Sequence, residues 1–332
     1  HGQHAGLQQS IQNIQELLDA GAEGVKKLQD KSDVGQFYYW GEPLYGYYNT
    51  QDPWVLTRHV ELLTMAGVDF LCIDATNAYD YVQSGETLLG ILRQMKEQGF
   101  QVPGVCFYTN TSSGTTANQI YKDYYESGKW DDLWYAPNGR PLLVGITENN
   151  GMASDQTRFW GTTDFVSPAL QRYFEVKESE WPNGIHNDNS MPWMSWDYPQ
   201  KFHEESRAIN VSVSQHSKTH VLFSLRHKWS SKGYDYHTET SVSHMAPESH
   251  RGYDNVSGRV TGDYREGQSF QQMWNTVFEH ENDVTTVLVC GWNEWMAQKQ
   301  TSGDFVDVYN WEYSRDCEMM KGGYGDNYYL QL

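Results

Sequence analysis

What this 332-residue chain lacks removes several classes of function. No apolar run approaches the ~20 residues a helix needs to cross a bilayer. No glycine-rich G-x-G-x-x-G or G-x-x-x-x-G-K-[ST] loop follows an apolar run, so a dinucleotide-binding or P-loop fold loses its support. Cysteine is scarce, at 4 residues, and no C-x-x-C spacing occurs, which argues against a zinc ribbon or a redox site. Cys72, Cys106 and Cys290 fall in apolar runs and Cys317 in a late loop, where buried free thiols are expected. Positive charge is short as well. The 24 Lys and Arg stand against 43 Asp and Glu, a net charge of −19, which argues against holding nucleic acid or an anionic membrane by bulk charge. There is no Pro/Ser-rich linker and no abrupt change of composition, so one large domain is expected rather than two. The chain does not open on Met, which reads as a trimmed or processed form.

Aromatic side chains, by contrast, are abundant. They make up 14% of residues, with Tyr and Trp dominant, and amphipathic rings in that quantity suit carbohydrate binding as well as a core. The chain is organised around the stretch 284–295. There an apolar run, Val287 to Cys290, meets Gly291 and then an Asn293–Glu294 pair set between Trp292 and Trp295. A run of that length reads as a strand buried on both faces. Gly291 permits close backbone approach where the strand ends. Glu294 then stands at a strand C-terminus, the end at which β/α barrels carry their chemistry. The flanking indoles offer stacking faces to a sugar and keep water from a carboxyl group.

Taken in order, residues 7–28 read as an N-terminal helix and 34–40 as the first barrel strand. Asp52 followed by Pro53 marks a helix start, and Gly67 its end. Further strands are expected at 68–74, 102–108, 141–146, around 173–176, at 208–216 and before Trp292, with helices near 88–95, 117–126 and 269–279. Short apolar strands alternating with helices mean parallel βαβ units. The expected fold is α/β, a single (β/α)8 TIM-type barrel with long loops on its C-terminal face. Residues 1–33 would be a helical extension and 34–332 the catalytic barrel.

The second half is less regular and chemically unusual. Asp197 lies between Trp196 and Tyr198 in a segment stiffened by Pro192 and Pro199. The loop 217–263 is long for a compact domain, which marks it as functional. Between Lys218 and Asp263 it holds six Lys/Arg and five His against five Asp/Glu, about +1 in a chain of −19. Arg226, His227, Lys228, Lys232, His237, His244, His250 and Arg251 would stand above the barrel mouth, either as a solvated surface or as a rim for a sulfated or carboxylated substrate.

The stretches Phe37–Trp40, Asp52–Trp54, Gly67–Asp74 and Gly291–Trp295 resemble the (β/α)8 glycoside hydrolases grouped around families 71 and 99. The tail segments 312–316 and 321–328 resemble secreted polysaccharide-degrading relatives, and with the basic loop the chain is most similar to the endo-1,3-fucanases of family 168. The resemblance implies a retaining endo-glycoside hydrolase acting on a sulfated, fucose-containing polysaccharide. It also implies a secreted or periplasmic setting, with the signal peptide not in this chain. Family 99 carries a second acid shortly after the Asn-Glu-Trp motif, and Ala297 stands there instead, so that family's mechanism does not transfer whole.

Glycoside cleavage needs two carboxyl groups, one kept protonated beside apolar rings. Asp197 is the expected nucleophile and Glu294 the acid/base, with Glu248 its rival. Asp74 is a further candidate, in catalysis or as a hydrogen-bond partner of a sugar hydroxyl, and Glu148 ranks lower. Tyr38, Trp40, Asn77, Asn110, Trp196, Gln215, His216, Trp292, Asn293 and Trp295 are expected to meet substrate, although His216 also reads as a satisfied strand-end histidine. The chemistry requires no cofactor, and no zinc or calcium ligand spacing is present. The alternatives are a hydrolase of a neutral α-glycan, such as a mannan or glucan, and an inactive barrel that only binds carbohydrate.

Overall fold

A computed structural model of the chain describes residues 11–150, 164–181, 187–216, 247–300, 305–306 and 310–332, with the backbone alone at 157–158, 161–162, 229–230 and 233–234. The N-terminal segment forms two helices, α1 (Ile14–Asp19) and α2 (Ala22–Gln29), instead of the single one expected over 7–28, of which 7–10 lie outside the described residues. Gly21 breaks the run at φ 73°, a conformation that costs glycine little. Gly24 then lets α2 lie against α1, since a Cβ there would stand 1.7 Å from the Leu17 carbonyl oxygen.

After β1 (Phe37–Tyr39), the Asp52–Pro53 signal acts as its chemistry dictates. It opens α3 (Pro53–Met65), with the Asp52 carboxylate accepting from the Trp54 and Val55 N–H groups. The alternation continues through β2 (Phe70–Ala75), α4 (Val82–Glu97), β3 (Gly104–Thr109), α5 (Ser113–Ile120), which runs on into a wider turn at 121–125, and β4 (Leu142–Gly145). A small ladder of β5 (Thr157–Arg158) and β6 (Gly161–Thr162) precedes α6 (Pro168–Tyr173), β7 (Glu175–Glu180), β8 (Ser190–Pro192) and β9 (Ala208–Ser212). Two more short hairpins follow, β10 (Trp229–Ser230) with β11 (Gly233–Tyr234) and β12 (Tyr253–Asp254) with β13 (Arg259–Val260). The chain ends through α7 (Gln268–Glu279), β14 (Thr286–Cys290), β15 (Met296–Gln298) and α8 (Asn327–Gln331).

Strands β2, β3, β4, β7 and β8 pair in that order, all parallel, and the sheet forms a half-barrel. A second parallel ladder joins β9 to β14, from Ala208 opposite Thr286 to Ser212 opposite Cys290. Alternation along the strands sorts the side chains. Val105, Phe107 and Leu143 turn outward to Leu89, Leu92, Ala117 and Ile120 of the helices. Cys106, Tyr108, Leu142, Val144 and Met191 turn inward and meet Ala208 and Leu288 of the second ladder. Both ladders therefore close on one inner core. A third cluster packs α1, α2, β9 and α7 with Trp40, Trp295 and the tail.

One expectation is met in part and two are corrected. Parallel ladders run through five strands and then through two, so a ring of eight hydrogen-bonded parallel strands is not made among the described residues. The segment 34–40 is not a barrel stave: β1 runs antiparallel to β15, with Tyr39 opposite Met296. The chain turns back at Gly291–Trp295, and Trp40 donates its N–H to the Trp295 carbonyl at 3.2 Å and stacks on that ring at 4.3 Å. Finally, the fifth strand extends beyond 173–176 through the polar run to Glu180. Its buried Glu178 survives because the Thr147 N–H and hydroxyl and the Asn150 amide donate to it.

Candidate active site

Because the strands are parallel, their C-terminal ends emerge on one edge, and the candidate residues follow those ends. Asp74 is the last residue but one of β2, Asn110 follows β3, Trp181 follows β7 and Trp193 follows β8. Ser212 and Cys290 lie in register, so the segments 213–216 and 291–295 leave the β9–β14 pair side by side. Asp74 and Glu294, far apart in the sequence, thus both come near the Cys290 thiol.

Glu294 lines a pocket of about 60 Å³ with Tyr39, Pro43, Tyr48, Thr50, Asn293, Trp295 and Met296. Its main chain is fixed at both sides. The Trp40 indole N–H donates to its carbonyl at 2.9 Å, and its own N–H donates to Asp316 Oδ1 at 2.8 Å. Gly291 makes room for that carboxyl, since a Cβ there would sit 3.0 Å from Oδ1. Behind the pocket lies Glu318, fully buried, which accepts from Tyr48 Oη at 2.6 Å, Trp295 Nε1 at 2.5 Å and His59 Nε2 at 2.8 Å. Asn293 in turn donates to the Tyr48 hydroxyl at 3.1 Å. One buried carboxylate therefore sets the rotamers of two pocket walls. Burial and then the Glu318 charge push the Tyr48 phenol well above its ordinary range, so it stays a neutral donor.

The second group gathers where β9 ends. His216 donates its N–H to the Ser195 carbonyl at 2.8 Å, and Gln215 donates its own to the Glu248 carbonyl at 3.1 Å. Two consecutive residues thus tie the Trp196–Asp197 segment to the short turn that carries Glu248. Gln215 is anchored through its side chain to Asn255 Oδ1 at 2.6 Å. Asp197 is half-buried beside the buried ring of Trp196. Trp181 and Trp193 lie parallel, with centroids 6.5 Å apart and planes 6° apart, and Trp196 stands 6.1 Å from Trp181. Burial and then the Glu248 charge raise the Tyr253 phenol.

The remaining candidates are placed as follows. Asp74 is half-buried and accepts from the Thr76 N–H at 2.8 Å, and its charge reaches the Cys290 thiol together with those of Glu294 and Asp316. Asn110 accepts from the Ser179 hydroxyl at 3.2 Å, Asn77 is exposed, and Trp292 packs edge-on to His59. Glu148 is an exposed acceptor for Gln171. Tyr38 and Trp40, expected to meet substrate, have 1% and 0% exposure because the β1–β15 pairing folds them into the core. Trp295 is also buried, at 4%, but lines the pocket.

The basic rim loses two members to the interior. Arg251 is fully buried between Tyr324 and Tyr328, its guanidinium 4.3 Å from each ring, and donates to Ser314 Oγ and the Asp316 carbonyl. His250 is 2% exposed and lies 3.4 Å from Glu312. Arg226, His227, Lys228, Lys232, His237 and His244 lie outside the described residues.

Asp316, Glu318, Trp181 and Trp193 were missed as site residues. The one signal for the acids is the density of charge at 312–318, interleaved with Tyr313, Cys317 and Met319. The two tryptophans follow strands too polar or too short to stand out.

No protein-family profile matches the chain, and no curated protein matches it in sequence. Among solved structures it is similar to the family 99 endo-α-mannosidase from Bacteroides thetaiotaomicron, at 14% identity over 88% of this chain and 80% of that one, with a TM-score of 0.48. The same enzyme with bis-tris propane gives 14% identity over 88% and 86%, with a TM-score of 0.47. A glycoside hydrolase-like protein gives 12% over 88% of each chain and 0.45. Likenesses this distant assign neither a reaction nor a residue to this chain.

Proposed function

We propose that the chain is a retaining endo-glycoside hydrolase, with Asp197 as nucleophile and Glu294 as acid/base, working at the mouth of a (β/α)8 barrel that the β9–β14 pair helps to complete. The observation that carries this reading is the pocket at Glu294. An acid stands at a strand end, between aromatic walls, with a second carboxyl held against its main chain. Pairs of carboxyls in unlike surroundings are what divide acid from base. Glu294 would protonate the leaving oxygen while Asp197 attacks the anomeric carbon; water, deprotonated by Glu294, then releases the sugar with its configuration kept. Trp181, Trp193 and Trp196 would stack on flanking rings of the polymer. Glu248 is the rival acid/base, on the observation that Gln215 and His216 tie its turn to the Asp197 segment.

Two substrates divide the observations. The basic composition of 217–263 favours a sulfated fucan. The Glu294 pocket favours a neutral α-glycan, since among the described residues no Lys or Arg lines it and a sulfate there would face a carboxylate. A panel of sulfated and neutral polysaccharides, with the products sized and their anomeric configuration read by NMR, tests both. Retained configuration and fragments of intermediate length are expected. Asp197→Asn and Glu294→Gln should each lower kcat by about a hundred- to ten-thousand-fold while oligosaccharide binding persists. Full activity in Glu294→Gln with loss in Glu248→Gln would transfer the acid/base role to Glu248. Binding with no turnover on any polymer would leave an inactive carbohydrate-binding barrel.

A further inference from the structure

Asp316 is buried, 1% exposed, and both its oxygens face the interior. Oδ1 accepts the Glu294 N–H, while Oδ2 has no hydrogen-bond partner among the described residues. The guanidinium of Arg251 spends Nη2 on the Asp316 main-chain carbonyl and its face on Tyr324 and Tyr328. An ionised carboxylate so placed buries one oxygen without a protein donor, and taking up a proton relieves that cost.

We propose that Asp316 is a positioning residue for Glu294, fixing that acid's main chain and, by gaining or losing its own proton, setting the charge behind the pocket. The proposal rests on the reading of Glu294 as the acid of the site. The groups around Asp316 come from every side. Glu294 and Cys290 face it from the end of β14, Arg251 from the segment before α7, Tyr48 from the 41–50 loop and Tyr324 from the tail, while Arg315, Cys317 and Glu318 flank it on its own segment. Burial first, and the Glu294 charge second, push the Asp316 carboxyl up to about 7, against the smaller downward pulls of the Glu294 N–H and Arg251. Asp316 therefore changes charge near neutrality, in contact with the backbone of an acid that lines the pocket.

The test follows the Glu294 backbone amide through pH by NMR, in isotope-labelled full chain with no glycan present. The amide donates directly to Asp316, so its shift should move with a midpoint near neutrality. Asp316→Asn keeps an acceptor but cannot ionise, and should abolish that movement. Gly291→Ala crowds Oδ1 without changing any charge, and should displace the midpoint. A Glu294 amide that is flat across neutrality in the wild type, or that titrates unchanged in Asp316→Asn, overturns the proposal. On whichever polysaccharide the wild type cleaves, Asp316→Asn should remove the limb of the kcat profile near neutrality with KM held within about two-fold. Superposable profiles would reduce Asp316 to a structural residue and also overturn it. If the wild type cleaves nothing, the glycosidase reading fails, and the amide titration still decides for or against Asp316.

Discussion

The two acids proposed for the reaction are held in opposite ways. Glu294 stands on a wall backed by buried side chains: Asp316 holds its N–H, and Glu318 gathers Tyr48, Trp295 and His59 behind it. Asp197 stands on a segment tied by main-chain bonds, Ser195 to His216 and Glu248 to Gln215, beside half-buried tryptophans. The first arrangement fixes geometry and charge together, because a buried carboxylate binds its donors strongly and tolerates no loss of them. The second fixes the backbone and leaves Trp181 and Trp193 half-buried. A retaining reaction uses both kinds of support, a preset proton donor and an approachable nucleophile.

The largest test of that contrast removes Glu318. Glu318→Ala leaves the Tyr48, Trp295 and His59 donors facing an empty site, and breaking a buried charged network of this kind costs about 3–5 kcal/mol. Urea unfolding should show a lower midpoint with an unchanged slope. A wild-type midpoint would mean that the network contributes nothing and that the two walls are held alike.

The next test uses pH. The folded state raises the Asp316 pKa from 3.8 to about 7, so in that window it keeps a proton the unfolded chain has lost. Its contribution to stability is therefore full at low pH and falls away as pH rises through 3.8 towards about 7. Thermal melts across the window should show that decline flattened in Asp316→Asn relative to the wild type. Asp254 has the opposite sign but does not mask the effect. Gln272 and then Ser257 hold it down to about 2, so what it contributes is lost as pH falls from 3.8 through about 2, below the window in which Asp316 titrates.

The smallest effect belongs to the aromatic side. Trp193→Ala should weaken binding of a released oligosaccharide by about 1 kcal/mol, roughly five-fold in Kd, without moving the urea midpoint as far as Glu318→Ala does. Titration calorimetry reads it. Unchanged affinity would take Trp193 out of the substrate path.

Local and long-range contacts shaped different parts of this fold. The Asp52–Pro53 start of α3, the strand cores at Phe70–Ala75, Gly104–Thr109 and Thr286–Cys290, and the position of Glu294 just past a strand end all follow from local rules. They were legible because capping, proline geometry and apolar runs act within a few residues. The break at Gly21, the polar strand Glu175–Glu180 and the antiparallel partner of Phe37–Tyr39 were not. The last two depend on a neighbour far along the chain, Thr147 and Asn150 for Glu178 and Met296–Gln298 for β1, whereas the break at Gly21 is one glycine at φ 73° inside an otherwise helical run.

By itself, the amino-acid sequence determined the alternation of helices and parallel strands, the aromatic richness and the set of acids that follow strand ends. Only the tertiary structure decided which charges lie inside. Arg251 seemed a rim cation and is caged by Tyr324 and Tyr328; Asp316 and Glu318 lie in a charged tail and stand behind the pocket. The physical reason is that a charge can be buried only where partners converge on it. Those of Glu318 include His59 and Tyr48, 259 and 270 residues away along the chain.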